Sequence, residues 1–502
     1  MRLIIFFIFL YSFSAYSIEL IEQPIEKIEN IIFQNSKTTS NNEYYNSFYG
    51  EEHINRFYNE FKLDSDKPFY NEIILSVLSS HILQNEDPDK INFFLDSVKK
   101  LNNLQDSFVY QKRIFQNVLF DSFLKPEYNE IYLNFLFNSS KFEELCDYYI
   151  KLNSTQNDFK NNLVFSSICL IENKNFSQLE LLLELYDSDS LEKLNSNYIN
   201  LFLNQNYDYN TVNYSSLSML DKYIIYKSDN NFLIHDYRIN NVLDIQIALK
   251  HNIDISLRSI ENAFSKQIIN KNELLSIYNA ISKDNSDYLL YKKISSEINI
   301  NDKLKIIDKN INKINMNYYN FSRLLSDQFI DIKLLSKNLK YIKSIYLILL
   351  TSNDDLRIGF LNLIKDKEFD DDFDYLFFNG LSNFLSQKNE TDSIELKELE
   401  HLNNPVILFY IDNNFLNIKL NKDLSLNKNN AQSLNNNYNN LSIYNNSNNI
   451  IERNLELLLI LKSLNLNYIN QIDLYYISKS QSNNPVFNKI FLNLISNKYL
   501  NN

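Results

Sequence analysis

Five histidines, two cysteines and one dense acidic run are the residues of this chain whose types could do chemistry. The histidines stand at His53, His81, His235, His251 and His401; none is followed by glutamate, so the helical zinc-protease arrangement is absent. No two share the close spacing of a local metal site, and a lone histidine on a helix is ordinarily a surface or satisfied core residue. His235-Asp236 has the composition of a catalytic pair, but adjacent residues on one element point apart. The run Asp370-Asp371-Asp372-Phe373-Asp374 spaces its carboxylates like the start of a calcium loop. The rest of that loop fails, because Tyr375 stands where the turn glycine belongs and Leu381 where the bidentate glutamate belongs. The simpler expectation is that these carboxylates precede a helix over Phe373–Leu385 and complement its positive N-terminal end.

Glycine closes off further chemistry. Phosphate-cradling loops need several glycines together and nucleophile elbows need them flanking serine, whereas this chain has only Gly50, Gly359 and Gly380. A Cys-x-x-Cys redox pair is absent, as is the Glu-Ser pair used by periplasmic peptidoglycan-cleaving enzymes built on large helical rings. Carboxylates for glycoside cleavage can come from distant positions, so a dispersed acidic pair stays open. No catalytic, metal-binding or cofactor-binding residue is assigned, and no cofactor is expected. Cys146 and Cys169 fall on what read as successive antiparallel helices, where an oxidising compartment would let them pair; two buried thiols that never meet is the equal alternative. A bridge closing such a loop would be structural, stabilising by about 3 kcal/mol in the chain-entropy model.

The elements that must position these residues read as helices. Ile91, Phe94, Leu95, Val98 and Leu101 form one stripe at spacings of three and four, opened by Asp87-Pro88 as N-cap and first helical residue. Pro68, Pro126, Pro405 and Pro485 stand before similar stretches. Further amphipathic segments are expected at Phe108–Phe123, Glu127–Phe137, Phe142–Leu152, Phe159–Glu172, Phe176–Tyr186, Val242–Lys250, Ile255–Lys266 and Glu273–Ile281. Others follow at Leu334–Leu350, Leu356–Lys365, Ile451–Leu464, Asn470–Ser478 and Val486–Tyr499. Short Asn, Asp and Ser connections between them imply antiparallel neighbours, and stacked pairs imply an α-solenoid. The expected fold is all-α, an array of antiparallel helix pairs of tetratricopeptide or HEAT type with degenerate repeats. Residues 51–426 would form the array, 427–449 an Asn-rich loop or linker, and 450–502 a C-terminal helical bundle.

The first 17 residues read as a signal peptide: Arg2, an apolar run from Leu3 to Tyr11, and small residues Ala15 and Ser17 before a cleavage expected after Ser17. That run falls below the ~18 residues a membrane span needs. Ile345–Leu350 and Leu457–Leu461 are bracketed by charges and read as buried helix faces, so no span is expected after cleavage. Residues 18–50 are polar and expected to be partly disordered.

A hydrophobic fraction of 44% supplies a core. The formal charge of −13 argues against sequence-independent nucleic-acid binding and against attraction to anionic membranes. The excess of Asn, Ile, Lys, Phe and Tyr matches A- and T-rich codons, so an Asn-rich patch signals base composition before it signals a surface. The 35 Tyr and 36 Phe either fill the core or line a concave face that stacks on sugars or peptide side chains.

Two stretches, Asn162–Tyr186 (NLVFSSICLIENKNFSQLELLLELY) and Arg453–Leu466 (RNLELLLILKSLNL), resemble an uncharacterised family of exported alphaproteobacterial helical-repeat proteins. In that family a helix ending in a short polar turn precedes a leucine-rich helix, and another leucine-rich helix lies near the C-terminus. The resemblance implies a periplasmic helical-repeat protein and transfers no catalytic residue. This chain departs from it in lacking the richness in alanine and glycine of that family. The expected function is a non-enzymatic periplasmic or secreted scaffold binding a protein or peptide partner in the cell envelope. A cell-wall enzyme with a helical superstructure and an architectural envelope protein are the alternatives.

Overall fold

The computed structural model describes residues 63, 66–68, 70–71, 75, 107–115, 126–155, 162–185, 211–228, 232–253, 255–282, 284–329, 331–352, 354–365, 367–369, 371–386, 393–395, 404–412, 414–419 and 499–500. The leader 1–17, the polar segment 18–50, the Asn-rich tract 427–449, the helices expected after Asp87-Pro88, at Ile451–Leu464 and at Asn470–Ser478, and His53, His81 and His401 lie outside these residues.

The described chain is all-α apart from two short strand pairs. Helices α1 Ser107–Phe115, α2 Pro126–Asn138, α3 Phe142–Thr155, α4 Leu163–Glu172 and α5 Phe176–Leu185 come first. Strand β1 Thr211–Asn213, α6 Met219–Lys227, strand β2 Leu233–His235, α7 Val242–Lys250 and α8 Leu257–Ser265 follow. Then come α9 Lys271–Ile281, α10 Ser286–Ser296, α11 Ile300–Asn310, α12 Tyr318–Leu325, the single turn α13 Ile332–Leu335, α14 Ile342–Leu349, α15 Asp354–Ile364 and α16 Asp372–Ser386. Strand β3 Ser393–Glu395, α17 Pro405–Asp412 and strand β4 Asn417–Lys419 close the series. β1 pairs with β2 and β3 with β4, both parallel, with Val212 opposite Ile234 and Ile394 opposite Ile418.

The compositional bias is put to local use. Asn162, Asn241, Asn270, Asn285, Asn299 and Asn317 are the N-caps of α4, α7, α9, α10, α11 and α12, each accepting from a first-turn N–H. The other ends show what glycine scarcity costs. Ser140, Lys174, Asn252 and Gln267 follow α2, α4, α7 and α8 with φ of 59°, 55°, 52° and 63°, left-handed positions that glycine ordinarily fills. Each is followed by an N–H that closes onto a carbonyl in the helix's last turns, for example Asn175 N to Leu170 O at 2.8 Å and Ile268 N to Ala263 O at 2.9 Å.

Helices α1 to α5 pack on their chain neighbours in series. The chain then returns along them: α6 packs on α4, α7 on α2, and Lys112 of α1 reaches the turn beyond α8. The Lys112 contacts join positions 155 and 156 apart, whereas a one-dimensional array confines contacts to adjacent repeats. In the following half α14 packs on α11 and α12, α15 on α13 and α16, and α16 on α17. Among the described residues the buried apolar side chains form one cluster.

Leucine and isoleucine make up most of it, with aromatic rings interleaved. Tyr499 stacks on Phe377 at 4.3 Å and meets Tyr346 and Phe378 edge-on at 5.3 Å, so these rings fill the core. Two glycines mark close helix crossings. A Cβ on Gly380 of α16 would lie 2.1 Å from the buried Tyr410 ring of α17, and one on Gly359 of α15 would lie 3.1 Å from Ile332 Cδ1.

Several expectations differ from the structure. The helix expected over Leu334–Leu350 is broken into α13, a 3₁₀ turn at Leu339–Tyr341 and α14. Asn338 causes the break by turning its Nδ2 back to Leu334 O at 2.9 Å, in competition with the helix backbone. The helix expected over Ile255–Lys266 starts at Leu257, capped by Ser256, and the strand pairs were not foreseen because three residues show no periodicity.

Candidate functional site

Among the described residues, the densest convergence of titratable side chains surrounds Asp244, which is fully buried in the first turn of α7. Cap chemistry places it there. The Asp244 N–H donates to Asn241 Oδ1 at 2.9 Å, and Asp244 Oδ2 accepts from the backbone N–H groups of Asn240 at 2.8 Å and Asn241 at 3.2 Å. Oδ1 accepts from Lys222 Nζ of α6 at 3.1 Å and from the Tyr214 hydroxyl, while the Tyr237 hydroxyl donates to the Asp244 carbonyl. Tyr214 and Tyr237 lie ring to ring at 4.9 Å, with Lys222 Nζ 4.5 Å above Tyr214. Burial, and then the Asp244 charge, push both phenols well above their usual range, so they remain donors. Four donors fill the four lone-pair positions of this carboxylate, which leaves none to accept a proton from a substrate. The cluster acts as a clasp binding the segment around β1 and α6 to α7.

A second clasp joins the two rows. Glu172 at the end of α4 accepts from the Tyr223 hydroxyl and pairs with Lys227 Nζ of α6 at 2.8 Å. Lys227 Nζ also lies 5.7 Å from the Phe142 ring and 5.6 Å from the Tyr226 ring. Such aromatic surroundings attract an ammonium group, and here the occupant is the chain's own lysine.

A third convergence caps the C-terminal end of α8. Phe264 O accepts from Arg323 Nη1 at 3.0 Å, Ser265 O from Asn71 Nδ2 at 3.0 Å, and Ile268 O from Lys112 Nζ at 3.0 Å. Cations at a helix C-terminus oppose its negative end, and the Arg323 guanidinium stacks 4.0 Å from the Phe264 ring. Burial pulls the Lys112 ammonium below the usual lysine range, against the raising effect of Glu273. Both groups are committed to backbone carbonyls, so this too is a structural joint.

The residues singled out from sequence are placed as follows. Cys146 of α3 and Cys169 of α4 are brought together as a disulfide, with Cα atoms 5.3 Å apart and both side chains buried. His235 is exposed on β2, and Asp236 lies 3.7 Å from Arg238, away from any pairing with that imidazole. His251 Nε2 meets Ile225 O at 2.8 Å. Asp371 Oδ1 accepts from Phe373 N at 2.9 Å at the start of α16, and Asp374 Oδ1 accepts from the Tyr499 hydroxyl at 2.6 Å. Among the described residues no three of His, Cys, Asp and Glu converge as a metal site, and no helix is long and apolar enough to cross a membrane.

The feature that sequence reasoning missed is an open helix face. On α5 only Leu179 is buried, while Leu181 is 53% and Leu185 73% exposed, with Phe176 at 38%. Glu180 and Glu184 are exposed beside them. The signal was present as two leucines four apart next to two glutamates four apart, inside a run whose other leucines are buried or half-buried. By contrast, the apolar recess lined by Tyr346, Leu349, Phe360, Leu361 and Leu381 has room for about a single water molecule. No protein-family model, no curated protein and no solved structure matches the chain.

Proposed function

We propose that the chain is a non-enzymatic scaffold, periplasmic or secreted, that binds a protein or peptide partner through its helical array. The observation that carries this reading is the apolar face of α5, where Leu181 and Leu185 stand exposed on a regular helix. Covering a leucine side chain is worth about 2 kcal/mol, a drive toward a partner that the three buried polar joints do not offer. The leader-like residues 1–17 and the Cys146–Cys169 disulfide support an oxidising, exported setting. The resemblance of Asn162–Tyr186, which spans α4 and α5, to exported helical-repeat proteins supports the same setting.

The test is chemical crosslinking in intact cells, followed by affinity purification of the tagged chain. The scaffold reading expects a reproducible, stoichiometric partner; recovery of nothing beyond background overturns it and favours an architectural role. Purified protein incubated with peptidoglycan is expected to release no soluble fragments, and their release would overturn the scaffold in favour of a cell-wall enzyme.

A further inference from the structure

The geometry points to a specific occupant for α5: an amphipathic partner helix carrying leucine-type residues on its contact stripe and lysine or arginine beside it. This inference rests on the scaffold reading and deepens it.

Residues four apart on a helix lie one above the other. Leu181 and Leu185 therefore form an exposed apolar ridge, and Glu180 and Glu184 form a parallel acidic ridge next to it. Leu179 anchors the opposite side of α5 in the core, with Leu182 and Leu183 half-buried, which fixes the rotation at which both ridges face outward. An apolar seam flanked by one sign of charge is the pattern by which packed helices choose partners, because flanking charges select the opposite sign. A second copy of this chain would set the same glutamates against each other in a two-fold pairing, and an anionic membrane surface would repel them. A basic amphipathic helix satisfies both ridges at once.

The probe is a fluorescently labelled synthetic helix with leucine at the seam positions and lysine at the flanking positions, compared with a twin in which glutamate replaces lysine. Fluorescence anisotropy against the full mature chain is expected to show tighter binding of the lysine helix, weakening as salt is raised. Leu181→Asn with Leu185→Asn should weaken that binding by about tenfold or more. Glu180→Lys with Glu184→Lys should invert the preference between the twins. All four side chains are exposed, so circular-dichroism melts of both variants should match the parent chain. Equal binding of the twins, no binding of either, or affinities unchanged in both variants overturns the inference. Each of those results leaves the scaffold reading standing if crosslinking still recovers a partner, whereas loss of the partner itself removes the scaffold reading.

Discussion

Gly380→Ala sets two known effects against each other. Alanine in a helix interior is favoured over glycine by about 1 kcal/mol, so propensity alone predicts a more stable α16. The new methyl group would arrive 2.1 Å from Tyr410 Cδ2 and 2.5 Å from its Cγ, well inside contact distance. That ring is fully buried and packs 6.5 Å from Phe377, so it has no open direction in which to swing. Overpacking of this kind costs about 1–3 kcal/mol, and the rigid aromatic places this site at the upper end, for a net loss of about 2 kcal/mol. Gly359→Ala is the internal control. Its Cβ meets only the end of a flexible side chain, Ile332 Cδ1, at 3.1 Å, so the propensity gain should offset the contact and leave stability unchanged or raised. Denaturant midpoints followed by circular dichroism read both variants. In a Tyr410→Leu background the Gly380→Ala penalty should vanish. A Gly380→Ala chain as stable as its parent would refute the α16–α17 crossing.

Other consequences are equally open to measurement. Replacing Cys146 and Cys169 with serine should cost about 3 kcal/mol, read as a lower thermal midpoint, and the parent chain should resist thiol alkylation until reduced. Asp244→Asn removes the charge that Lys222 and Tyr214 address and should cost about 3 kcal/mol by equilibrium denaturation; a neutral result would contradict the clasp. Lys174→Gly relieves an exposed left-handed lysine and should stabilise by about 1 kcal/mol in the same assay. Tyr214, Tyr223, Tyr237, Tyr278 and Tyr499 are all pushed upward by burial. Because the folded phenols hold their protons above the unfolded value of about 10, their contribution is complete below that pH and is lost as pH rises past it. Unfolding midpoints that stay flat through that rise would contradict the buried phenol–acid contacts.

What could be read from sequence was local. Val242–Lys250 has the bounds that periodicity predicts, because that signal lies within the helix itself. The acidic run at 371–374 resolved into cap chemistry for the same reason. The return of α6 to α8 along α4, α2 and α1 was not legible, since it depends on Lys112 meeting Ile268, 156 positions away. Nor were the tyrosine clasps: Tyr223 and Glu172 are 51 apart, and in a chain this rich in tyrosine no single ring marks itself as a donor. Glycine scarcity was visible, but its meaning was split. It spoke against glycine loops, yet it hid that Gly359 and Gly380 are spent at helix crossings. The open face of α5 was hidden by its richness in leucine, because FSQLELLLEL does not say which of its leucines face the core.

The central claim is that α5 is where a partner sits, and a site-specific photo-crosslinker tests it most directly. Placed at position 181 in living cells, it should give a discrete covalent adduct with another polypeptide on irradiation. The same group at position 298, where Ile298 is 98% exposed but stands alone in a loop, should give none. No adduct at position 181, or the same adducts from both positions, would contradict the account.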